Sequence, residues 1–195
     1  MNISAVIIAG GKSLRLNGIN KSYIVVKGRT IVEWQREAIQ GLFPFVFTVA
    51  HYPIMPDWPN FEDEFQKIGP IAGIYTALKQ AKTDYIFAFS CDMPFLNRQL
   101  ILAMIKKIKN DSDEVVVPKH FHGIEPLHAI YKKSVLPIIE QQINIQKYQI
   151  RAFFDKVKVS YFDIESNGFN NEYFFNINYP EDILKANEYA TRIKP

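Results

Sequence analysis

The chain has few of the features that mark secreted, membrane or nucleic-acid-binding proteins. Its 195 residues include one cysteine, Cys91, so no intrachain disulfide can form, and we expect a reducing compartment such as the cytoplasm. No apolar run approaches the roughly 18 residues that a membrane-spanning helix needs. The formal net charge is only +3, and the basic residues are scattered, which argues against a nucleic-acid surface. One locally basic pocket for a small anionic ligand stays compatible with this charge.

Two familiar phosphate-binding motifs are also missing. Gly11-Lys12-Ser13 matches the end of a P-loop, but the first glycine of that motif would fall on Val6, inside an apolar run. The dinucleotide pattern Gly-x-Gly-x-x-Gly is absent as well, since the glycines of this region stand at positions 10, 11 and 18. Any nucleotide site here must therefore belong to another class.

Apolar runs alternate with amphipathic segments along the chain, and 48% of its residues are hydrophobic. We predict strands at Ser4–Ala9, Phe45–Ala50, Tyr85–Ser90, Glu114–Val117 and Val157–Phe162. We predict helices at Ile31–Leu42, Ile71–Gln80, Gln99–Lys109, Val135–Gln142 and Pro180–Thr191. Asn97 is the expected N-cap of the third helix, Pro180 fits the first turn of the last, and Tyr52–Lys67 is expected to be a loop. The pattern predicts one α/β domain, residues 1–195, with a mainly parallel sheet flanked by helices.

The most informative segment is the apolar run that ends in Gly10-Gly11 and leads to Arg15 and Lys21. Glycines after a strand let the backbone approach a ligand closely, and successive N–H groups can hold phosphate oxygens. Arg15 and Lys21 add the positive charge that a triphosphate requires. The alternative is an ordinary strand-to-helix turn with surface lysines.

Asp92 follows the third predicted strand directly, in Ser90-Cys91-Asp92-Met93-Pro94. In open α/β sheets, ligands bind outside the carboxyl ends of the strands. Near a nucleotide such a carboxylate usually holds Mg²⁺, although it could instead cap the next helix. With the glycine loop present, the metal reading is favoured. Cys91 is read as a small buried side chain and not as a nucleophile.

Three further groups of residues are weaker candidates. Asp63 lies in an acidic triplet upstream of Gly69-Pro70-Ile71-Ala72-Gly73, where small residues open a helix N-terminus to a polar ligand. Asn176 and Asn178 are either capping residues or donors to a phosphate or to the water shell of a metal. The histidines, at His51, His120, His122 and His128, lack the spacing of a metal site, and His51 and His128 are read as pocket or core residues.

These motifs, in this order, resemble the molybdenum cofactor guanylyltransferases, the MobA family of the nucleotidyltransferase superfamily. The resemblance extends from the glycine loop to the segment 176–182, and includes Gly69-Pro70-Ile71-Ala72-Gly73, Asp92-Met93-Pro94 and Pro126-Leu127-His128-Ala129-Ile130-Tyr131. It implies a three-layer Rossmann-like nucleotidyltransferase fold. It also implies transfer of GMP from GTP to molybdopterin or the molybdenum cofactor, with pyrophosphate released and Mg²⁺ as cofactor. Cofactor-delivery proteins or apoenzymes would be transient partners.

Site roles follow from the same resemblance. It implies catalytic roles for Arg15, Lys21 and Asp92, with Asp92 ligating Mg²⁺. It implies that the nucleotide also contacts the end of the first strand and its loop, at Ile8, Ala9, Gly10 and Gly11. Asp63 would match the family's aspartate ahead of Gly-Pro, which helps to bind the nucleotide. Asn176 and Asn178 would lie near the second substrate or the metal.

The chain departs from the family pattern at two places. Leu16-Asn17 replaces Met-Gly in the opening loop, with Gly18 one residue later, and His51 stands where an asparagine often follows the second strand. Base preference is therefore open, and two other readings remain. One is a nucleotidyltransferase for another base or acceptor, such as CTP with a pterin or a sugar phosphate. The other is a non-catalytic protein that binds the cofactor.

Overall fold

A central mixed sheet organises the computed structural model, which describes residues 2–9, 20–108 and 112–193. The strands are β1 (Ile3–Ala9), β2 (Val25–Val26), β3 (Arg29–Thr30), β4 (Val46–Ala50), β5 (Asn60–Phe61), β6 (Tyr85–Ser90), β7 (Val115–His120), β8 (Gly123–Ile124), β9 (His128–Lys132) and β10 (Val159–Asp163). The α-helices are α1 (Ile31–Ile39), α2 (Pro70–Gln80), α3 (Arg98–Lys107), α4 (Leu136–Asn144) and α5 (Pro180–Tyr189). Short 3-10 turns occupy Lys21–Tyr23, Lys133–Val135, Ile150–Lys156 and Asn171–Phe174.

Four adjacent strands of the main sheet, β6, β1, β4 and β5, run parallel to one another. Across the main sheet the order is β10-β7-β9-β6-β1-β4-β5, with β8 on β7 and a separate β2-β3 hairpin. Strand β1 runs parallel to β4 and β6, and β10 runs parallel to β7, whereas β9 is antiparallel to both of its neighbours. The expected α/β fold with a mainly parallel sheet is confirmed.

Helices cover both faces of this sheet. The side chains of β1 alternate between two cores. Ile3, Ala5 and Ile7 pack with α1 and α3, while Val6 and Ile8 pack with α2 and α4. A third, smaller core joins α5 to the β2-β3 hairpin. Because β1 is buried on both faces, it is apolar at almost every position, which explains why its sequence shows no alternation.

Local sequence signals explain where the helices begin and end. Thr30 and Glu33 form a reciprocal capping box at the start of α1, and the Asn97 side chain accepts the Leu100 N–H at the start of α3. Pro180 opens α5, as predicted. Helix α1 ends at Ile39, earlier than predicted, where the chain turns through Gly41 with φ of 70°.

Several elements differ from the sequence prediction, and the short strands β2, β3 and β8 were not predicted. The antiparallel strand β9 was not predicted, because only three apolar residues stand between its polar ends, His128 and Lys132. The segment predicted to be a loop, 52–67, contains the short strand β5 beside β4. Among the residues that the structure describes, no helix combines the length and apolar character needed to cross a bilayer.

The strand directions bring several loops to one edge of the sheet. The carboxyl ends of β1, β4, β6 and β7 lie at the same edge, because these strands run in the same direction. Strand β9 runs the opposite way, so the segment that precedes it, 125–127, comes to this edge too. Residues far apart in the sequence therefore meet there.

Candidate active site

An ammonium group and two side-chain oxygens form the centre of the candidate site. Lys21 Nζ donates to Asp92 Oδ2 at 2.9 Å and to Asn178 Oδ1 at 2.7 Å. The side chains of Lys21 and Asp92 are each 17% exposed, so the pair is largely shielded but still open to a ligand. The three residues come from three separate parts of the chain, which indicates a built site and not a chance surface contact.

The turn that carries Asp92 is fixed from several sides. Ser90 Oγ donates to Asp92 Oδ1 at 2.5 Å, and the Cys91 N–H donates to the Ile8 carbonyl at 3.3 Å. The buried Gln35 side chain donates from Nε2 to the carbonyls of Ser90 and Met93, both at 2.8 Å. These bonds satisfy the backbone groups that appear where strand β6 ends, and they hold the Asp92 carboxylate at the sheet edge.

The segment before α5 is joined to the same turn. The Ile177 N–H donates to the Asp92 carbonyl at 2.9 Å, and Ile177 is fully buried. Asp182 Oδ2 accepts the N–H groups of Asn178 and Tyr179, each at 2.9 Å, in the capping box of α5. Asp182 therefore has a structural role, because it fixes the backbone from which Asn178 reaches Lys21.

A cavity of about 290 Å³ opens beside this cluster. Asp92, Asn176 and Asn178 line it together with residues on the far side of the β6 end, namely Ser90, Met93, Glu125, Pro126, Leu127 and Ile150. The Ser90 N–H donates to the Leu127 carbonyl at 3.0 Å, so the two walls are tied together. Two carboxylates, two amides and several apolar side chains therefore line one cavity, next to the ammonium that Asp92 and Asn178 bind.

Asp63 lies on the other side of β1, against the start of α2. Its Oδ1 is buried and has no hydrogen-bond partner within the described residues, and burial raises the pKa of this carboxyl to about 6. A Cβ added at Gly73 would stand 2.5 Å from Ile8 Cγ2 and 3.6 Å from Asp63 Oδ1. Gly73 is therefore a close contact between α2 and β1, and Asp63 keeps an acceptor without a partner beside it.

The structure brings together some predicted site residues and leaves others untested. Ile8 and Ala9 end β1, with the Ile8 side chain buried. Asp92 does not cap α3, because Asn97 does. The roles assigned to Gly10, Gly11 and Arg15, and the turn at 16–18, lie outside the described residues.

The histidines divide into three environments. His128 is fully buried and belongs to the core, which was one of the two environments expected for it. Burial lowers its pKa to about 3. His51 is exposed beside Tyr52, so the core reading is wrong for this residue. His120 pairs with Glu125 at 3.0 Å, and His122 is exposed. Among the described residues, no three His, Cys, Asp or Glu side chains are grouped closely enough to hold a metal ion.

The oxygen donors of the cluster suit a hard cation that is shared with a ligand. Asp92 Oδ2 and Asn178 Oδ1 already converge on one positive charge, the Lys21 ammonium. A single carboxylate with an amide oxygen is too few for a cation held by protein alone, but Mg²⁺ commonly takes one or two carboxylates and completes its shell with phosphate oxygens and water. Cys91 offers no competing thiolate, because burial raises its pKa to about 12.

Sequence reasoning missed two residues of this edge. Gln35 lies on α1 and acts only through the Ser90 and Met93 carbonyls, and nothing in its local sequence marks that contact. Glu125 immediately precedes the Pro-Leu-x-Ala-x-Tyr motif, but its relevance depends on β9, the strand that was not predicted. The motif beside Glu125 could be recognised in the sequence, but the secondary-structure pattern did not show that this segment lies at the site.

Comparisons with known proteins agree with this geometry. Residues 5–160 match the family described as the MobA-like NTP transferase domain. A probable molybdenum cofactor guanylyltransferase of Natranaerobius thermophilus is 34% identical over 96% of this chain and 96% of its own. A molybdenum cofactor guanylyltransferase of Desulfosudis oleivorans is 30% identical over 94% of each chain.

Solved structures show the same fold. The molybdopterin-guanine dinucleotide biosynthesis protein A of Archaeoglobus fulgidus superposes with a TM-score of 0.80 at 24% identity, over 97% of this chain and 100% of that one. A Thermus thermophilus 2-C-methyl-D-erythritol 4-phosphate cytidylyltransferase gives a TM-score of 0.70 at 15% identity, over 98% and 100% of the two chains. The family match and the relatives that span the whole chain show that this protein belongs to the MobA-like NTP transferase family.

Proposed function

We propose that this protein transfers GMP from GTP to the terminal phosphate of molybdopterin, or of its molybdenum-loaded form, and releases pyrophosphate. The observation that carries the proposal is the cluster of Lys21, Asp92 and Asn178, two of which line the cavity. Support comes from relatives that are named guanylyltransferases and match nearly the whole chain. We also propose that residues 1–195 work as one nucleotidyltransferase domain.

The chemistry suits a site that has charge but no general base. The attacking oxygen belongs to a phosphate, so it is already an anion. It attacks the α-phosphorus of GTP in line, and the bond from that phosphorus to the β-phosphate oxygen breaks. Positioning and charge neutralisation are then the main tasks of the protein. Lys21 is the described cation that would face the phosphates, and we assign Arg15 to the same task.

Asp92 would hold Mg²⁺, with Asn178 or Asn176 close to its water shell or to the acceptor phosphate. The bound cation would neutralise phosphate charge. Lys21 has two acceptors in the protein, Asp92 and Asn178, and could exchange either for a phosphate oxygen without leaving the cluster. Asp92 remains oriented by Ser90 during such an exchange.

The nucleotide would lie along the end of β1. We assign the base and ribose to the backbone of Ile8, Ala9, Gly10 and Gly11, with Asp63 as a polar contact. The unpartnered Oδ1 of Asp63 supports this assignment, since a buried acceptor without a bond costs free energy that an N–H donor on the ligand would recover. We expect the protein to act in the cytoplasm, without nucleic acid or membrane, and to contact cofactor-delivery proteins or apoenzymes transiently.

A transfer assay tests the proposal. Purified protein is incubated with Mg²⁺, molybdopterin and either GTP or CTP, and both pyrophosphate and the dinucleotide product are measured. The proposal predicts product with GTP and much less with CTP, and no pyrophosphate without the acceptor. Preference for CTP, or use of a sugar phosphate in place of molybdopterin, would show that another transfer reaction is correct. Binding without any pyrophosphate release would show a non-catalytic binding protein.

A further inference from the structure

Glu125 gives the cavity a second carboxylate, separate from Asp92. It lines the cavity with Pro126 and Leu127, in the segment that enters β9, and its side chain is 23% exposed. The Glu125 carbonyl accepts the His128 N–H at 3.0 Å, and its own N–H donates to the Pro118 carbonyl at 3.2 Å. Its backbone is thus held between β7 and β9.

His120 fixes the Glu125 side chain. Its Nδ1 accepts the His122 backbone N–H at 3.2 Å, so the ring hydrogen is on Nε2, which donates to Glu125 Oε1 at 3.0 Å. The His120 ring stacks on Phe174, with ring centroids 5.3 Å apart and planes 8° from parallel. Burial raises the pKa of the Glu125 carboxyl, and the hydrogen bond from His120 partly offsets this rise because it favours the charged form.

One oxygen of Glu125 remains for a ligand. Among the described residues, Oε2 has no hydrogen-bond partner, and Oε1 has one. A half-buried carboxylate in this position favours a ligand that offers two N–H donors side by side, because each oxygen can accept one. Leu127, Met93 and Ile150 contribute an apolar wall to the same cavity. Such a wall suits the faces of a flat ring.

We propose that Glu125 binds the N–H edge of the acceptor's aminopyrimidinone ring and thereby selects a pterin acceptor, with the ring near Glu125 and the acceptor phosphate near Lys21 and Asn178. The assignment rests on the proposed function in that it places the acceptor in this cavity. It goes further by naming the residue that reads the ring. The adjacent N3–H and 2-amino group of a pterin are the paired donors that this carboxylate can accept.

A binding experiment tests the assignment without GTP or turnover. The probes are pterin, which has the 2-amino group, and lumazine, which has an oxygen there and offers the carboxylate only one donor beside a repelling acceptor. Dissociation constants are measured by fluorescence titration for the wild type, Glu125→Gln and Glu140→Gln. Glu140 is a matched control, because it is an exposed carboxylate on α4 that accepts the Tyr75 hydroxyl.

We expect the wild type and Glu140→Gln to bind pterin at least about tenfold more tightly than lumazine, and Glu125→Gln to lose this preference. Equal binding of the two probes by the wild type, or no pterin binding at its solubility limit, would overturn the assignment whether or not the variant folds. So would a folded Glu125→Gln protein that keeps the preference. If pterin selection holds but GMP transfer fails, the proposed function is wrong and the ring contact stands. If transfer occurs without pterin selection, only the Glu125 assignment fails.

Discussion

The Asp92 carboxylate has both oxygens engaged, and this decides how it can work. Ser90 holds Oδ1 and Lys21 holds Oδ2, so the group is oriented before any ligand arrives. Because protein groups already hold both oxygens, the substrate does not need to impose the orientation of Asp92. Preorganised charge of this kind is a main source of rate enhancement in phosphoryl transfer.

Replacing Asp92 by asparagine tests its assigned role as a metal ligand. The change keeps the shape and removes the charge, so we expect kcat to fall by about 10²–10³ and the Mg²⁺ concentration for half-maximal rate to rise. Steady-state rates at varied Mg²⁺ measure both quantities. Asp57→Asn is the control, since Asp57 pairs with Arg36 on the exposed surface. An Asp92→Asn protein with the wild-type rate and Mg²⁺ dependence would contradict the role.

The burial of His128 makes the free energy of unfolding depend on pH. The residue is fully buried between Phe87 and Phe174, both of its ring nitrogens lack hydrogen-bond partners among the described residues, and burial lowers its pKa from 6.5 to about 3. The unfolded chain therefore binds a proton below about pH 6.5 that the folded protein does not bind until about pH 3. Stability falls as the pH is lowered through this window, by about 1.4 kcal/mol per unit.

Denaturant unfolding at pH 7 and pH 5 measures this loss in the wild type and in His128→Leu. We expect the wild type to lose about 2 kcal/mol more than the variant between these two pH values. Asp63 titrates in the same range with the opposite sign, because its pKa is raised to about 6 in the folded protein. It is present in both proteins, so the difference between them isolates His128. Equal losses would show that the His128 ring is protonated inside the folded protein.

At the scale of elements, the contact between α2 and β1 fixes one side of the proposed nucleotide site. A methyl group at Gly73 would meet Ile8 Cγ2 at 2.5 Å, and Ile8 is a β-branched residue on a buried strand that cannot move aside. We expect Gly73→Ala to destabilise the fold by about 1–3 kcal/mol, although alanine is otherwise the better helix former.

A double-mutant cycle with Ile8→Ala separates the clash from other effects. Ile8→Ala alone should cost about 2–5 kcal/mol, because it leaves a cavity. The double variant should be more stable than the sum of the single changes predicts, since the new methyl group enters the space that Ile8 vacates. Unfolding free energies measure the cycle. If the changes in unfolding free energy were additive, the methyl group at position 73 would not clash with the Ile8 side chain.

The helices and strands could be predicted where a local signal, either burial on both faces or a helix cap, was strong. The buried strands β1, β4 and β6 are apolar at all but one position each, and Asn97 and Pro180 are strong local signals for the starts of α3 and α5. Strand β9 was missed because its first and last residues are polar and only three apolar residues lie between them. Its conformation is decided by its pairing with β6 and β7. Long-range pairing of this kind leaves little trace in a short window of sequence.

The candidate site was predictable to the same extent. Lys21, Asp92 and Asn178 stand in recognisable motifs, and the structure brings them into one cluster. Gln35 and Glu125 could not be found in this way, because each acts through contacts across more than one element. Motifs identify residues from a short window of sequence, whereas contacts such as those of Gln35 and Glu125 are defined by packing between elements.

At the scale of the whole molecule, sheet polarity explains why the site lies where it does. Parallel strands bring the ends of β1, β6 and β7 to one edge, and the reversed strand β9 delivers Glu125 to the same edge. The cavity and its lining lie at this edge because of the topology of the sheet. The same architecture in the Archaeoglobus fulgidus and Thermus thermophilus structures shows that this fold is shared, while the side chains at the edge set the chemistry.

The most direct test follows label from α-³²P GTP into the molybdopterin dinucleotide, catalysed by the wild type, Lys21→Met and Lys79→Met. Lys79 is a matched control, because its ammonium pairs with Glu64 on the exposed surface and not at the cavity. We predict transfer by the wild type, a rate within about twofold of it for Lys79→Met, and a rate about 10²–10³ lower for folded Lys21→Met. No transfer by the wild type, or an unchanged rate for Lys21→Met, would contradict the account.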